Sequence, residues 1–251
     1  MQRIRVIPTL LVRNGGLVKT VKFKNPRYVG DPLNAVKIFN DKEVDEIVIL
    51  DISATLNNKP PDFRFIAELA GECFMPLTYG GGITSVEEIK KIFHLGVEKV
   101  AINSAAIQDR NMISEAASMF GNQSIVVSID AKKQPDGTHH VMKNFGTEDT
   151  GIDVVDWAKK VEEAGAGELF LTSVDQDGSY KGYDIYLVSS VANAVEIPVI
   201  ASGGVGEWEH LVEGIKKGGA SAVSVGNKFH FTEHSTMHAK KYMRERGIDL
   251  R

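Results

Sequence analysis

One spacing constrains this chain more than its composition does. Segments 75–103 and 197–225 lie 122 residues apart and carry one pattern, in which Pro76, Gly81, Gly82 and Gly96 recur as Pro198, Gly203, Gly204 and Gly218. A glycine pair after a short apolar run, followed by an amphipathic stretch, is the layout of a strand, an anion-binding turn and a helix. A chain that repeats this unit half its length later is built from two like halves. The match loosens toward the start of each half, where SIVVSIDAKK ends a strand on Asp130 and RVIPTLLVRN ends one on Leu11. Two carboxylates facing each other there would form an acid/base pair. This chain offers one carboxylate and one hydrocarbon.

Runs rich in Val, Ile and Leu at 4–11, 46–51, 75–78, 99–103, 124–130, 168–174, 198–202 and 222–226 read as strands buried on both faces. Amphipathic stretches at 85–95, 153–164 and 207–217 read as helices between them. Ser85 with Glu88 predicts a capping box, and Gly96 and Gly165 stand where helices end in a left-handed residue. Eight alternations in 251 residues, in matched halves, predict an α/β chain folded as one closed (β/α)8 barrel domain rather than an open sheet. The C-terminal strand ends then gather Leu11, Asp51, Thr78, Asn103, Asp130, Thr172, Ser202 and Gly226 round one mouth.

Hydrophobic content of 43%, charged content of 25% and a net charge of −4 suit a soluble globular protein and argue against general nucleic-acid binding. Charges interrupt every apolar stretch of MQRIRVIPTLLVRN, so no signal peptide is expected. No apolar run approaches the ~18 residues needed to span a bilayer, so the expected compartment is the cytoplasm. Cys73 has no internal partner and reads as a small core residue. The histidines are scattered: His139-His140 and His230 with His234 lack acids at ligand spacing, and His210 reads as exposed on an outer helix. No metal or cofactor is expected, and no G-x-S-x-G elbow occurs.

The glycine loop TYGGGITSVEEI lets backbone N–H groups approach an anion, and the helix beginning near Ser85 adds its dipole. ASGGVGEWEH repeats the arrangement, and SVGNKF supplies a further small-residue turn. Two such loops half a barrel apart predict a ligand with a phosphate at each end. Asp130 reads as a carboxylate over the barrel core, or more plainly as a strand-end acid capping its loop. Asp175, Asp177 and Gly178 form an acidic loop, where either aspartate could simply hold a turn. Lys19 lies on a glycine-rich, basic segment running to Pro32, which reads as a long mobile lid; a solvated surface lysine is the alternative.

The motifs GGLVK, ILDISAT, PLTYGGGI, EKVAINSAAI, VVSIDAKK, GAGELFLTSVDQDGSYKGYD and IPVIASGGVG resemble HisF, the cyclase subunit family of imidazole glycerol phosphate synthase. The resemblance runs from the first strand to the last helix. It implies a barrel paired with a HisH-like glutaminase, whose ammonia crosses the barrel to a bis-phosphorylated substrate at the opposite mouth. By position it implies phosphate and substrate contacts at Lys19, Gly82, Asn103, Ser104, Thr172, Asp177, Gly178, Gly203, Gly204 and Gly226. It also implies an ammonia gate, matched at all four positions by Arg5, Glu46, Lys99 and Glu168, with structural salt bridges as the alternative, and a glutaminase-facing surface with Gln123 and with Glu98 for the usual aspartate.

The departures cluster on the first strand. The family reads C-L-D-V-K-D-G where this chain reads Thr9-Leu10-Leu11-Val12-Arg13-Asn14-Gly15, so a catalytic aspartate is replaced by Leu11 and Asp130 stands alone. Losing one positioned proton-transfer group typically costs about 10²- to 10⁴-fold in rate. Phe145 lies near where the family offers a small serine. The combination is similar to HisF paralogues found with surface-polysaccharide genes, which implies ammonia supply to a separate sugar amidotransferase forming an acetamidino group. The other readings are an authentic cyclase of histidine biosynthesis, using Asp130 with a substitute such as Asp177, and a non-catalytic conduit that activates the glutaminase.

Overall fold

The computed structural model describes residues 3–42, 44–226, 229 and 235–251. Along them run β1 (Arg5–Arg13), β2 (Gly16–Val21), β3 (Lys24–Gly30), α1 (Pro32–Asp41), β4 (Ile47–Asp51), α2 (Phe63–Glu72), β5 (Leu77–Gly80), α3 (Val86–His94), β6 (Lys99–Ile102), α4 (Ser104–Gln108) and α5 (Asn111–Phe120). The second half holds β7 (Ile125–Lys133), β8 (His139–Lys143), β9 (Glu148–Asp153), α6 (Val154–Glu163), β10 (Glu168–Ser173), α7 (Ile185–Ala192), β11 (Val199–Ser202), α8 (Trp208–Lys216), β12 (Ala222–Val225) and α9 (Ser235–Glu245).

β1, β4, β5, β6, β7, β10, β11 and β12 are parallel neighbours in that order, and β12 pairs with β1 to close the ring. Closure leaves no open edge and hides both strand faces, which is why the strands read as continuous apolar runs. The expected (β/α)8 barrel is therefore present. Inside it Ile7, Val48, Ala101, Val126, Phe170, Ile200 and Ala222 form a small apolar plug. Between barrel and helices lies the larger core, where α3 contributes Val86, Ile89 and Ile92 and α6 contributes Trp157, Ala158 and Val161. Each such large side chain contributes about 1.5–3 kcal/mol when fully buried. No helix among the described residues is long and apolar enough to cross a membrane.

Helix ends follow the sequence in most places. Ser85 and Glu88 form the capping box of α3, and Gly96 and Gly165 take φ of +99° and +103° after their helices. The repeat fails at one of its glycines: Gly219 (φ +70°), not Gly218, takes the left-handed position after α8. A Cβ on Gly218 would sit 2.9 Å from a methyl of Val188, so that glycine serves close packing instead.

Two excursions differ from expectation. The segment read as a long lid is an antiparallel hairpin, with β2 on β1 and β3 on β2. Leu17, Val18 and Thr20 of β2 are buried, which fixes it against the barrel. In the second half β7 runs on to Lys133 and carries β8 and β9 in the matching place. The first hairpin turns through Lys22 and Phe23, both at positive φ (+53° and +58°). Such turns ordinarily use Asn-Gly, so turn chemistry gives no sign of this one.

Candidate active site

The C-terminal ends of the barrel strands surround a cavity of about 570 Å³. Gly82, Asn103, Ser104, Asp130, Thr172, Asp177, Gly178, Gly203, Gly204 and Gly226 all line it. Lys19 does not; it stands on β2 opposite Arg27, beside Val18, which does line the cavity. Thr78, expected at the mouth, lies at the base instead. Because β5 runs Leu77–Gly80, its mouth end is Gly80, and the Thr78 hydroxyl donates to Glu46 at 3.0 Å. Asn227, Lys228, His230 and His234 lie outside the described residues.

Asp130 is buried, and one of its oxygens accepts a hydrogen bond from the Asn103 amide at 2.8 Å. Burial pushes its carboxyl up to about 7, and the negative charge of Asp177 pushes the same way, against the Asn103 bond. A carboxyl so placed exchanges a proton near neutral pH, which suits general acid or base work. β1 lies four strands from β7 in either direction round the barrel, so Leu11 faces Asp130 across the mouth, and both line the cavity. Leu11 can move no proton. Asp177 is also raised by burial, but its Oδ2 already accepts from the Thr20 hydroxyl (2.7 Å) and the Phe23 N–H (3.1 Å). Asp175 accepts from the Lys133 N–H at 2.9 Å, the plainer, turn-holding role.

The glycine loops match in conformation. Gly81 and Gly82 have φ of +123° and +71°, and Gly203 and Gly204 have +92° and +105°. A Cβ on Gly82 would fall 2.7 Å from the Lys59 carbonyl oxygen, and one on Gly204 would fall 2.1 Å from that of Gly182. The helix that follows each loop is capped from within. Glu88 accepts from the N–H groups of Thr84 and Ser85 at 2.7 and 3.2 Å, so the expected dipole of α3 is already met by a carboxylate. Its equivalent 122 residues on is His210, whose Nδ1 accepts from the N–H groups of Gly206 and Glu207 at 3.1 and 3.2 Å. His210 is thus a half-buried cap rather than an exposed residue. An anion at either loop is left to the glycine backbone and to neighbours such as Ser104.

At the opposite end the four charged residues close the barrel floor. The Arg5 guanidinium bridges Glu46 (2.6 Å) and Glu168, and the Lys99 ammonium lies 3.0 Å from Glu46 and 2.8 Å from Glu168. Burial alone would raise Glu46; Lys99 and Arg5 outweigh it and hold the carboxyl below the usual range. Burial likewise acts to lower Arg5, and the two glutamates more than reverse it. Lys99 is the most exposed member, its side chain 19% accessible against 3–7% for the others. The apolar plug lies between this ring and the mouth.

His139 and His140 do have acids, Asp184 at the start of α7 (3.0 Å) and Asp149 on β9 (3.1 Å), pairings that sequence spacing could not show. No group of three or more potential ligands that could hold a metal occurs among the described residues. Cys73 is half-buried at the end of α2, its thiol raised to about 11 by burial. The cavity also holds Phe23 and Phe145, stacked with centroids 4.7 Å apart and planes within 9°. Sequence reading misses Phe23, although the two phenylalanines are again 122 residues apart.

Residues 5–235 match the family model described as "Histidine biosynthesis protein". A Pseudomonas aeruginosa protein named "Putative imidazole glycerol phosphate synthase subunit hisF2" is 52% identical over 231 residues, 92% of either chain. With its closed barrel and these similarities, the chain belongs to the histidine biosynthesis protein family, as a member of the HisF type.

Proposed function

We propose that the chain is the synthase-type barrel of a glutamine-dependent ammonia-transfer complex. Ammonia from a HisH-like glutaminase enters at the base past Arg5, Glu46, Lys99 and Glu168 and moves toward the mouth that holds Asp130. There it serves amidation, as an acetamidino group, of a surface-polysaccharide sugar by a separate amidotransferase. The observation that carries this reading is the single carboxylate: Asp130 faces Leu11 across a mouth whose anion loops and basal ring are complete. Partner docking at the base is supported by Phe74, 85% exposed just before β5, and by Met119, 55% exposed at the end of α5. Gln123 is exposed on the same face.

The cyclase reading would need Asp177 to replace the missing acid. Its Oδ2 is held by two donors from the first hairpin, so it serves better as an acceptor in that turn than as a proton carrier. The proposal is tested by mixing the chain with a HisH-like glutaminase. The two should co-elute, and glutamine hydrolysis should rise. Lys99→Ala should change the yield from glutamine relative to that from free ammonium in the complete complex. If neither hydrolysis nor this ratio moves, the ring is a structural salt-bridge cluster and the conduit reading falls.

A further inference from the structure

The two hairpins reach the roof of the cavity from β1 and β7, on opposite sides of the barrel, and meet through Phe23 and Phe145. The first tip is fixed to the loop after β10, beside Gly203, and the second to the start of α4. The carbonyl and Oδ2 of Asp177 accept from the N–H groups of Lys22 and Phe23, at 2.9 and 3.1 Å. The Asn144 N–H donates to Ser104 Oγ at 3.2 Å. Both phenylalanines hold positive φ, +58° and +55°, a conformation that bulky residues adopt only when their surroundings impose it. Gly146 makes the room: a Cβ there would lie 2.9 Å from the Phe23 ring.

We infer that the Phe23–Phe145 stack couples the two anion sites, so that filling one prepares the other. This rests on the reading that each glycine loop takes a phosphate. An unmet Asp177 carboxylate beside Gly203 and Gly204 would repel an anion; held by Thr20 and the Phe23 N–H, its charge is partly answered. Ser104 accepting from Asn144 keeps its own O–H to donate toward the first loop. Each arm thus sets the polarity of the loop beneath it, and the stacked rings hold the arms together. The ligand favoured is one molecule bearing two phosphates, beyond what simple tethering gives.

The test is calorimetric titration of the full chain with inorganic phosphate, beside Phe23→Ala, Phe145→Ser and the double variant. The unaltered chain should take two phosphates, the second about two- to tenfold more tightly than the first, the range expected of one aromatic pair. Each single variant should abolish that difference, and the double variant should do no more. Two phosphates binding independently to the unaltered chain, or variants that keep the difference, would overturn the coupling alone. One phosphate or none would overturn the two-anion reading and the coupling with it. Should a variant unfold, tryptic cleavage of the unaltered chain after Lys22 and Lys24 decides: phosphate should slow it, and no change would count against the coupling.

Discussion

Asp130 is costly to keep. Its carboxyl is buried with one amide donor, and the folded value of about 7 stands against an ordinary 3.8. Below the ordinary value both folded and unfolded chains hold the proton, and the residue costs nothing. As pH rises toward 7 the unfolded chain ionises while the folded one resists, so stability is lost through that window. The gap between the two values corresponds to roughly 4 kcal/mol. Asp130→Asn should therefore gain on the unaltered chain by about that amount between pH 4 and pH 8, read from urea midpoints. An equal gap at both pH values would mean that Asp130 is not strained by burial. Under the proposed reading that cost is the price of a proton-carrying group, and Leu11 opposite it leaves the group without a second acid.

At the scale of elements, the paired glycine loops are the most legible feature. Glycine at 81, 82, 203 and 204 is demanded by backbone shape, which acts within the loop, and by neighbours under 3 Å from any added Cβ, which come from Asp51, Lys59, Ser173 and Gly182 on other segments. Gly204→Ala should destabilise the chain by more than about 2 kcal/mol and weaken phosphate binding, measured by thermal melting and titration. An alanine variant of unchanged stability would contradict the geometry. Strand ends are harder to read. The apolar run begins before β5 and so points Thr78 to the mouth, yet its hydroxyl sits on Glu46 at the floor. Turn pairs do stand where β1 meets β2 (Asn14-Gly15) and β7 meets β8 (Asp136-Gly137), but the tip of the first hairpin, Lys22-Phe23, carries no turn residue. Lys22-Phe23 and Asn144-Phe145 become intelligible only once the two rings are seen to meet. The partners of His139 and His140 are hidden because tertiary packing supplies them, from the N-cap of α7 and from β9.

For the molecule as a whole, the basal ring is both a floor and a candidate doorway. Its four charges are mutually satisfied, so removing one leaves the others buried and unmatched. Arg5→Met leaves Lys99 as the one cation of the ring for both Glu46 and Glu168 and should cost about 3–5 kcal/mol by chemical denaturation. A loss under about 1 kcal/mol would mean that water already reaches the ring. The ring is legible only through resemblance: Arg5, Glu46, Lys99 and Glu168 are far apart in sequence and meet because four strands begin at one level. Anion loops, floor and barrel are complete, and the first-strand acid is missing. On the proposed reading this barrel has given up imidazole ring closure while keeping its ammonia entrance. The direct measurement is turnover of the histidine-pathway bis-phosphate precursor with ammonium salt, for the unaltered chain beside Leu11→Asp. No turnover at ordinary enzyme rates is expected of the unaltered chain, with any gain confined to Leu11→Asp. Ordinary turnover by the unaltered chain would contradict that reading.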